Sequence, residues 1–103
     1  MKLDIGLVTF DLAVAGCARR AEELGLGGIW SAETRHDPFL PRAVAATTTR
    51  HVGLGTAIAI AFARSPMILA HISWDLQPAS GGRFVLGLGS QVKAHNERRF
   101  SVP

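Results

Sequence analysis

Apolar residues recur along the chain with two alternating spacings. Leu3–Thr9 mixes apolar residues with Gly6 and ends at Phe10, which predicts a first strand. Asp11 follows as an expected N-cap. Val14, Cys17, Ala18, Ala21 and Leu24 then fall on one stripe at helical spacing, with Arg19, Arg20, Glu22 and Glu23 mostly on the other side. Gly25 is the expected stop. Gly27-Gly28-Ile29-Trp30-Ser31-Ala32 predicts a short second strand running into the polar loop Glu33-Thr34-Arg35-His36-Asp37. Asp37-Pro38 has the pattern of a cap followed by a proline at the first helical position, and Pro41 offers a second start for a helix through Arg42–Thr48.

Val52–Ile60 predicts a third strand. Val52, Leu54, Thr56, Ile58 and Ile60 alternate with Gly53, Gly55, Ala57 and Ala59, giving one branched face and one small face that something can approach closely. After Phe62-Ala63-Arg64, the pair Ser65-Pro66 repeats the cap-and-proline pattern. The helix it opens is expected to turn Ile68, Leu69, Ile72 and Leu76 inward. Pro78 is expected to kink or end it, and Ser80-Gly81-Gly82 completes the stop. Arg83 leads into Phe84-Val85-Leu86, apolar on both faces as in a covered parallel sheet, and the run ends in Gly87-Leu88-Gly89-Ser90. The tail from Val92 to Pro103 is polar and suits a further helix around Lys93–Phe100.

The predicted order is β-α-β-α-β-α-β, an α/β class chain built of parallel β/α units. Ligands in such sheets sit outside the carboxyl ends of the strands. A closed barrel of eight such units takes roughly 250 residues. Four strands are about half of one, so residues 1–103 read as a single partial domain, the first four strands of an incomplete TIM barrel or a half-barrel that pairs with another chain, with a four-stranded open sheet as the alternative. Its outer strands would be open edges unless another segment or chain covers them.

Composition narrows the function classes. The 103 residues are 48% hydrophobic and 18% charged, which fits a folded core and not a disordered segment. The formal charge is +3, but the arginines are scattered along the chain apart from the doublets Arg19-Arg20 and Arg98-Arg99, and there is no Tyr, so nucleic-acid binding is not expected. Cys17 is the single cysteine, which excludes a disulfide within the chain, and it is expected as a small buried apolar group. Asp4 interrupts the apolar run that a signal peptide would need, so a cytoplasmic setting is expected. The longest apolar stretch, Thr56–Ala63, is too short to span a membrane. No His/Cys/Asp spacing suggests a metal. His51 before a strand and His71 within a helix are expected to be structural.

Gly87-Leu88-Gly89 invites comparison with a dinucleotide-binding fingerprint. That motif needs a third glycine at position 92, where Val92 stands, so the match fails. Spacing alone leaves these glycines between tight packing and a ligand role. Glu33 and His36 follow the second strand, where a carboxylate and an imidazole can move a proton. Asp37 fits a helix cap better than a catalyst, and His95 is as compatible with a solvated tail as with a role in chemistry.

An ordered set of short motifs resembles the luciferase-like monooxygenase family. It comprises Ala21-Glu22-Glu23-Leu24-Gly25 before Gly28-Ile29-Trp30, then Glu33, Leu54-Gly55-Thr56, Arg64-Ser65-Pro66, and Trp74-Asp75-Leu76-Gln77 before Ser80-Gly81-Gly82-Arg83-Phe84, closing with Leu86-Gly87-Leu88-Gly89-Ser90. Ala32-Glu33-Thr34 with His36-Asp37-Pro38-Phe39, and Gln91-Val92-Lys93-Ala94-His95, are most similar to the branch dependent on coenzyme F-420. The resemblance covers the whole chain but only the N-terminal portion of the family's barrel. It implies an oxidoreductase using coenzyme F-420 or flavin mononucleotide (FMN), acting on a small-molecule substrate and assembling as a homo-oligomer when full length. It also implies cofactor contacts at Ala57, Ile58, Gly87, Gly89, Ser90 and Gln91, with a non-proline cis peptide at Ala57-Ile58 behind the ring. Glu33 and His36 become the catalytic candidates. Relatives often carry His at the position of Thr34, and some carry an acid near Gln91-Val92; both departures leave those roles open. The remaining alternative is a non-catalytic fragment or assembly module that needs another chain.

Overall fold

The computed structural model describes residues 3–7, 13–34 and 36–90. The expected cap Asp11, the cofactor candidate Gln91, His95 and the tail helix lie outside the described residues. Chain order is β1 (Asp4–Leu7), α1 (Val14–Glu23), β2 (Gly28–Ser31), α2 (Leu40–Ala46), β3 (Gly53–Thr56), β4 (Ala59–Ile60), a 3-10 turn (Ala61–Ala63), α3 (Pro66–Ala79), β5 (Phe84–Val85) and β6 (Leu88–Gly89). The sheet is parallel with order β1-β2-β3-β5, and β4 pairs with β6 in parallel beyond the ends of β3 and β5. The predicted succession of β/α units is therefore present, with the third and fourth strands each broken in two.

The helices cover one face of the sheet. Val14, Ala18 and Ala21 of α1 and Ala45 of α2 pack with Ile29, Val52 and Leu54. A second cluster gathers Phe39, Ala59, Leu69, Leu76 and Phe84 under α3. The other face carries a row aligned across four strands: Gly6, Trp30, Gly55 and Val85. The small face anticipated for the third strand is used by the chain itself. The Trp30 indole lies across Gly55, where an added Cβ would fall 2.4 Å from the ring. Its Nε1–H donates to Asp4 Oδ2 at 2.9 Å.

Three expectations need correction. Cys17 and Leu24 are exposed, although the helical stripe placed them inward. They line an open groove with Ile5 and Leu26 beside β1. Among the described residues, no strand pairs with the far edge of β1, so that side of α1 has nothing to pack on. Ile68 is likewise half exposed, and Leu69 and Leu76 carry the buried side of α3. The unbroken alternation expected through Ile60 stops at Thr56, because Ala57 and Ile58 turn out to solvent while Ala59 and Ile60 are both buried.

Polar side chains tie the amino-terminal ends of the strands together. Arg83 donates from Nη1 to Thr49 Oγ1 and the Val52 carbonyl at 2.9 and 2.7 Å, and from Nε to the Ser80 carbonyl at 2.6 Å. Gly81 and Gly82, with φ of 67° and 83°, make the tight turn that delivers it. Glu22 uses its position at the end of α1 in a similar way. Its carboxylate accepts the backbone N–H groups of Arg50, His51 and Val52 at 2.6–3.0 Å, fixing the entry to β3. Burial pushes this carboxyl up, but the N–H groups of His51, Val52 and Arg50 outweigh it and hold the group below its ordinary value of 4.5.

A carboxyl with a depressed folded-state pKa stabilises the fold above its unfolded value and loses that contribution as pH falls through the folded one. Glu22→Gln is therefore expected to lower stability at neutral pH by about 1–3 kcal/mol. The difference from the parent chain should narrow below pH 4.5. Urea titrations at neutral and acid pH check both points; a gap that stays constant across that range contradicts the assignment.

Arg42 is the exception to this economy. It is fully buried on α2, and Nη1 donates to the Ile29 carbonyl at 2.5 Å, while Nε and Nη2 have no hydrogen-bond partner among the described residues. Burial lowers its pKa to about 10.

Candidate functional site

The carboxyl ends of β2, β3–β4 and β5–β6 meet at one side of the sheet, and local chemistry sets each loop there. After β2, the Ser31 hydroxyl donates to the Pro38 carbonyl at 2.5 Å, folding the polar loop back on its own strand. Asp37 Oδ2 accepts the N–H groups of Phe39 and Leu40 at 2.7 and 2.6 Å. It closes the turn that leads into α2 and does not cap the helix as its place before Pro38 suggests: α2 starts at Leu40, with Phe39 at the cap position and no side-chain cap, at the later start offered by Pro41.

Glu33 reaches the neighbouring strand twice. Its N–H donates to the Ile58 carbonyl at 3.1 Å, and its Oε1 accepts the Ile60 N–H at 2.6 Å. Arg64, in the loop after the 3-10 turn, meets the same carboxylate with both terminal nitrogens, at 2.8 and 2.7 Å. Arg64 Nη2 also donates to Asp37 Oδ1 at 3.0 Å. The guanidinium sits 5.1 Å from the centre of the Phe39 ring, within cation–π range. The Arg64 and Glu33 side chains are only 16% and 6% exposed, so water screens the pair weakly. The hydrogen bonds that Arg64 donates to Glu33 raise its pKa most; burial opposes them, and the charges of Glu33 and Asp37 add to the rise. Arg64 is thus a fixed cation holding two loops.

His36 is exposed, and its backbone N–H donates to Thr34 Oγ1 at 3.4 Å. The Glu33 carboxylate is engaged by Arg64 and the Ile60 N–H. The two catalytic candidates of the sequence therefore share a loop but occupy different surroundings. Glu33 is committed to ion pairing, and His36 faces solvent.

The register changes at the break between β3 and β4. Gly55 pairs with Val85, and the next pair is Ala59 with Leu88. The chain advances four residues on one side and three on the other, which is a bulge. The Ala57-Ile58 peptide within it is cis. Ala57 and Ile58 are both exposed. The Ala57 N–H donates to the Ser31 carbonyl at 2.8 Å. Ile58 lies over Gly89, where an added Cβ would sit 1.8 Å from the end of its side chain. Gly87 presses against the β3 backbone: a Cβ there would stand 2.1 Å from the Thr56 carbonyl oxygen. Ser90 is exposed just beyond. Ala57, Ile58, Gly87 and Gly89 thus form one ledge, with Ser90 at its end.

Two contributors went unassigned in the sequence. Arg64 is the single cation of a short loop between an apolar strand and a capped helix, a place where a charge needs a local partner. Thr56 is the one hydroxyl in the branched row Val52, Leu54, Ile58 and Ile60, and a buried hydroxyl needs a partner too. Both signals are visible in the sequence, but neither names the partner. Among the described residues there is no cluster of three or more His, Cys, Asp or Glu suited to a metal. No helix of the described residues is long and apolar enough to cross a membrane.

Comparison with known proteins places this arrangement. The model of the luciferase-like monooxygenase family matches residues 13–103. An uncharacterized protein of Mycobacterium tuberculosis is 53% identical over 100% of this chain and 30% of its own length. Among solved structures, the coenzyme F-420 dependent tetrahydromethanopterin reductase from Methanopyrus kandleri superposes with a TM-score of 0.85. It is 26% identical, over 99% of this chain and 30% of that one. The oxygenating constituent of 3,6-diketocamphane monooxygenase from Pseudomonas putida, solved in complex with FMN, shares the fold with a TM-score of 0.80 at 18% identity, over 97% of this chain and 33% of that one. The chain thus spans about a third of the length of the proteins it matches.

Proposed function

The chain belongs to the luciferase-like monooxygenase family, and we propose on that premise that it supplies the N-terminal part of an oxidoreductase. That enzyme would move hydride between coenzyme F-420, or reduced FMN, and a small organic substrate. The observation that carries the proposal is the ledge. A flat ring system needs an apolar shelf that no large side chain stands across, at the carboxyl ends of the strands. Ala57 and Ile58 offer such a shelf to solvent, and Gly89 beneath Ile58 lets it lie flat. The residues present therefore fit the group.

When bound, the cofactor supplies the hydride chemistry, and the protein supplies binding and orientation. Ala57 and Ile58 would back the ring, and Gly87, Gly89, Ser90 and Gln91 would line its edge. Glu33 acts by orientation, since its two oxygens are held by Arg64 and Ile60 and its N–H holds the Ile58 carbonyl. His36, exposed on the same loop, is the group that would give or take a proton at its imidazole.

Fluorescence titration of the chain with F-420 and with FMN tests this reading. Saturable binding to at least one is expected, without turnover, because most of the length of the relatives is not represented. Ile58→Glu should weaken that binding by at least about tenfold, equivalent to 1.4 kcal/mol. A folded chain that binds neither cofactor sinks the reading.

One observation favours a second reading. Among the described residues, β1 and β5 each pair on one side only, and Trp74 on α3 is 80% exposed. Open edges and a bare tryptophan suit a module that acts only when another polypeptide covers it. Sedimentation of the chain during the same titrations separates the two: binding by a monomer supports the first, and binding confined to an assembly supports the second.

A further inference from the structure

We propose that the Thr56 hydroxyl is a positioning group that fastens the Gly87–Gly89 edge to the bulge and so holds the ledge in shape. The purpose of the ledge rests on the cofactor reading above; the fastening itself does not.

The bulge leaves a gap in the ladder. In a regular parallel pair, the groups of one strand alternate in direction, so each neighbour finds partners. Here the Ala57 N–H keeps its regular direction, but the Ile58 carbonyl, which alternation would turn toward β5, points the other way. The Ala57 N–H donates to Ser31 and the Ile58 carbonyl accepts from Glu33, both on the β2 side. In a regular continuation of the β3–β5 register the Gly87 N–H would donate to the Thr56 carbonyl, and here it has no backbone acceptor among the described residues. Thr56 fills the place: its Oγ accepts the Gly87 N–H at 3.0 Å and donates to the Gly87 carbonyl at 2.9 Å. The same carbonyl accepts the Ala59 N–H at 2.9 Å, which starts the ladder again. Thr56 is fully buried, so water cannot take over. One side chain therefore makes both halves of a missing rung, at the level where Gly87 comes closest to β3.

The geometry explains why threonine occupies this place. Valine has its shape without the hydroxyl, and serine has the hydroxyl without the methyl. Hydrogen exchange of individual amides reads the difference. In Thr56→Val the Gly87 amide should exchange at least about tenfold faster, since a buried donor loses its acceptor. The Ile29 and Leu54 amides, deeper in the sheet, should stay within about twofold of the parent chain. Thr56→Ser should keep parent-like protection at Gly87. An unchanged Gly87 amide in the valine chain overturns the proposal, and so does equal acceleration of all three amides. If the valine chain does not fold, the serine chain decides alone: retained protection supports the fastening, and lost protection overturns it.

A second arm addresses positioning. F-420 or FMN, whichever the parent chain binds, should bind Thr56→Val about tenfold more weakly and Thr56→Ser about as well as the parent. Parent-like affinity in a valine chain whose Gly87 amide has become labile overturns the positioning role. A parent chain that binds neither cofactor brings down the functional reading, and the exchange arm still judges the fastening.

Discussion

Replacing Gly87 by alanine is expected to destabilise the chain by about 3 kcal/mol, the upper range for overpacking a tight contact. The new methyl would stand 2.1 Å from the Thr56 carbonyl oxygen. That neighbour is backbone, so no rotamer change makes room. Retreat of the segment would stretch the two bonds between Thr56 and Gly87 and the bond from the Ala59 N–H. Several interactions are lost together, which is why the effect exceeds that of an ordinary surface change. Gly16→Ala provides the contrast. Position 16 lies inside α1, and an added Cβ there meets no atom within 4 Å. Alanine at that site should stabilise by about 0.5–1 kcal/mol through its helix propensity. Urea midpoints for the two variants should therefore move in opposite directions. A Gly87→Ala chain that unfolds at the parent midpoint would mean that the close approach does not exist.

The second large effect is expected at Arg64. Arg64→Ala should cost about 3–5 kcal/mol, because it strands a carboxylate whose surroundings exclude water. The Glu33 side chain is only 6% exposed and would retain one donor, the Ile60 N–H. Asp37 would keep its two bonds from the Phe39 and Leu40 N–H groups and suffer less. The same logic predicts partial rescue. Glu33→Gln introduced together with Arg64→Met removes both charges and leaves groups of similar length. This double variant should recover at least about 1 kcal/mol relative to Arg64→Ala. Thermal and urea unfolding of the three chains checks it. An Arg64→Ala chain as stable as the parent would show that the guanidinium is solvated and the pair superficial.

Much of the candidate site could be read along the chain, because its parts carry short-range signals. Ser65 before Pro66, next to Arg64, predicts a cap and makes one, its Oγ accepting the Ile68 N–H. Ser80-Gly81-Gly82-Arg83 predicts a helix stop and a turn and makes both, with positive φ at the two glycines. The ledge residues Ala57, Ile58, Gly87 and Gly89 follow from resemblance and come together in space. The functions of charged residues were harder to read. Glu33 looks like a proton carrier when only its neighbours in sequence are known. Its partner Arg64 lies 31 positions away, and that distance turns it into a structural anchor. Glu22 is similar: its place on the polar side of α1 suggests a solvated carboxylate, and its role is to collect three N–H groups about 30 residues on.

The sequence by itself determined which segments become strands and helices, their order, and hence the parallel α/β architecture. Those choices depend on periodicity, caps and turn residues within a few positions of one another. The tertiary structure alone decided three things. It decided which apolar residues of a stripe are covered, so that Cys17, Leu24 and Ile68 remain outside while Ala18 and Leu69 are inside. It placed the bulge, because a change of register belongs to two strands at once and neither carries it alone. It also gave Thr56 and Arg64 their roles, because a buried hydroxyl or cation takes its function from a partner that only folding brings within hydrogen-bonding distance.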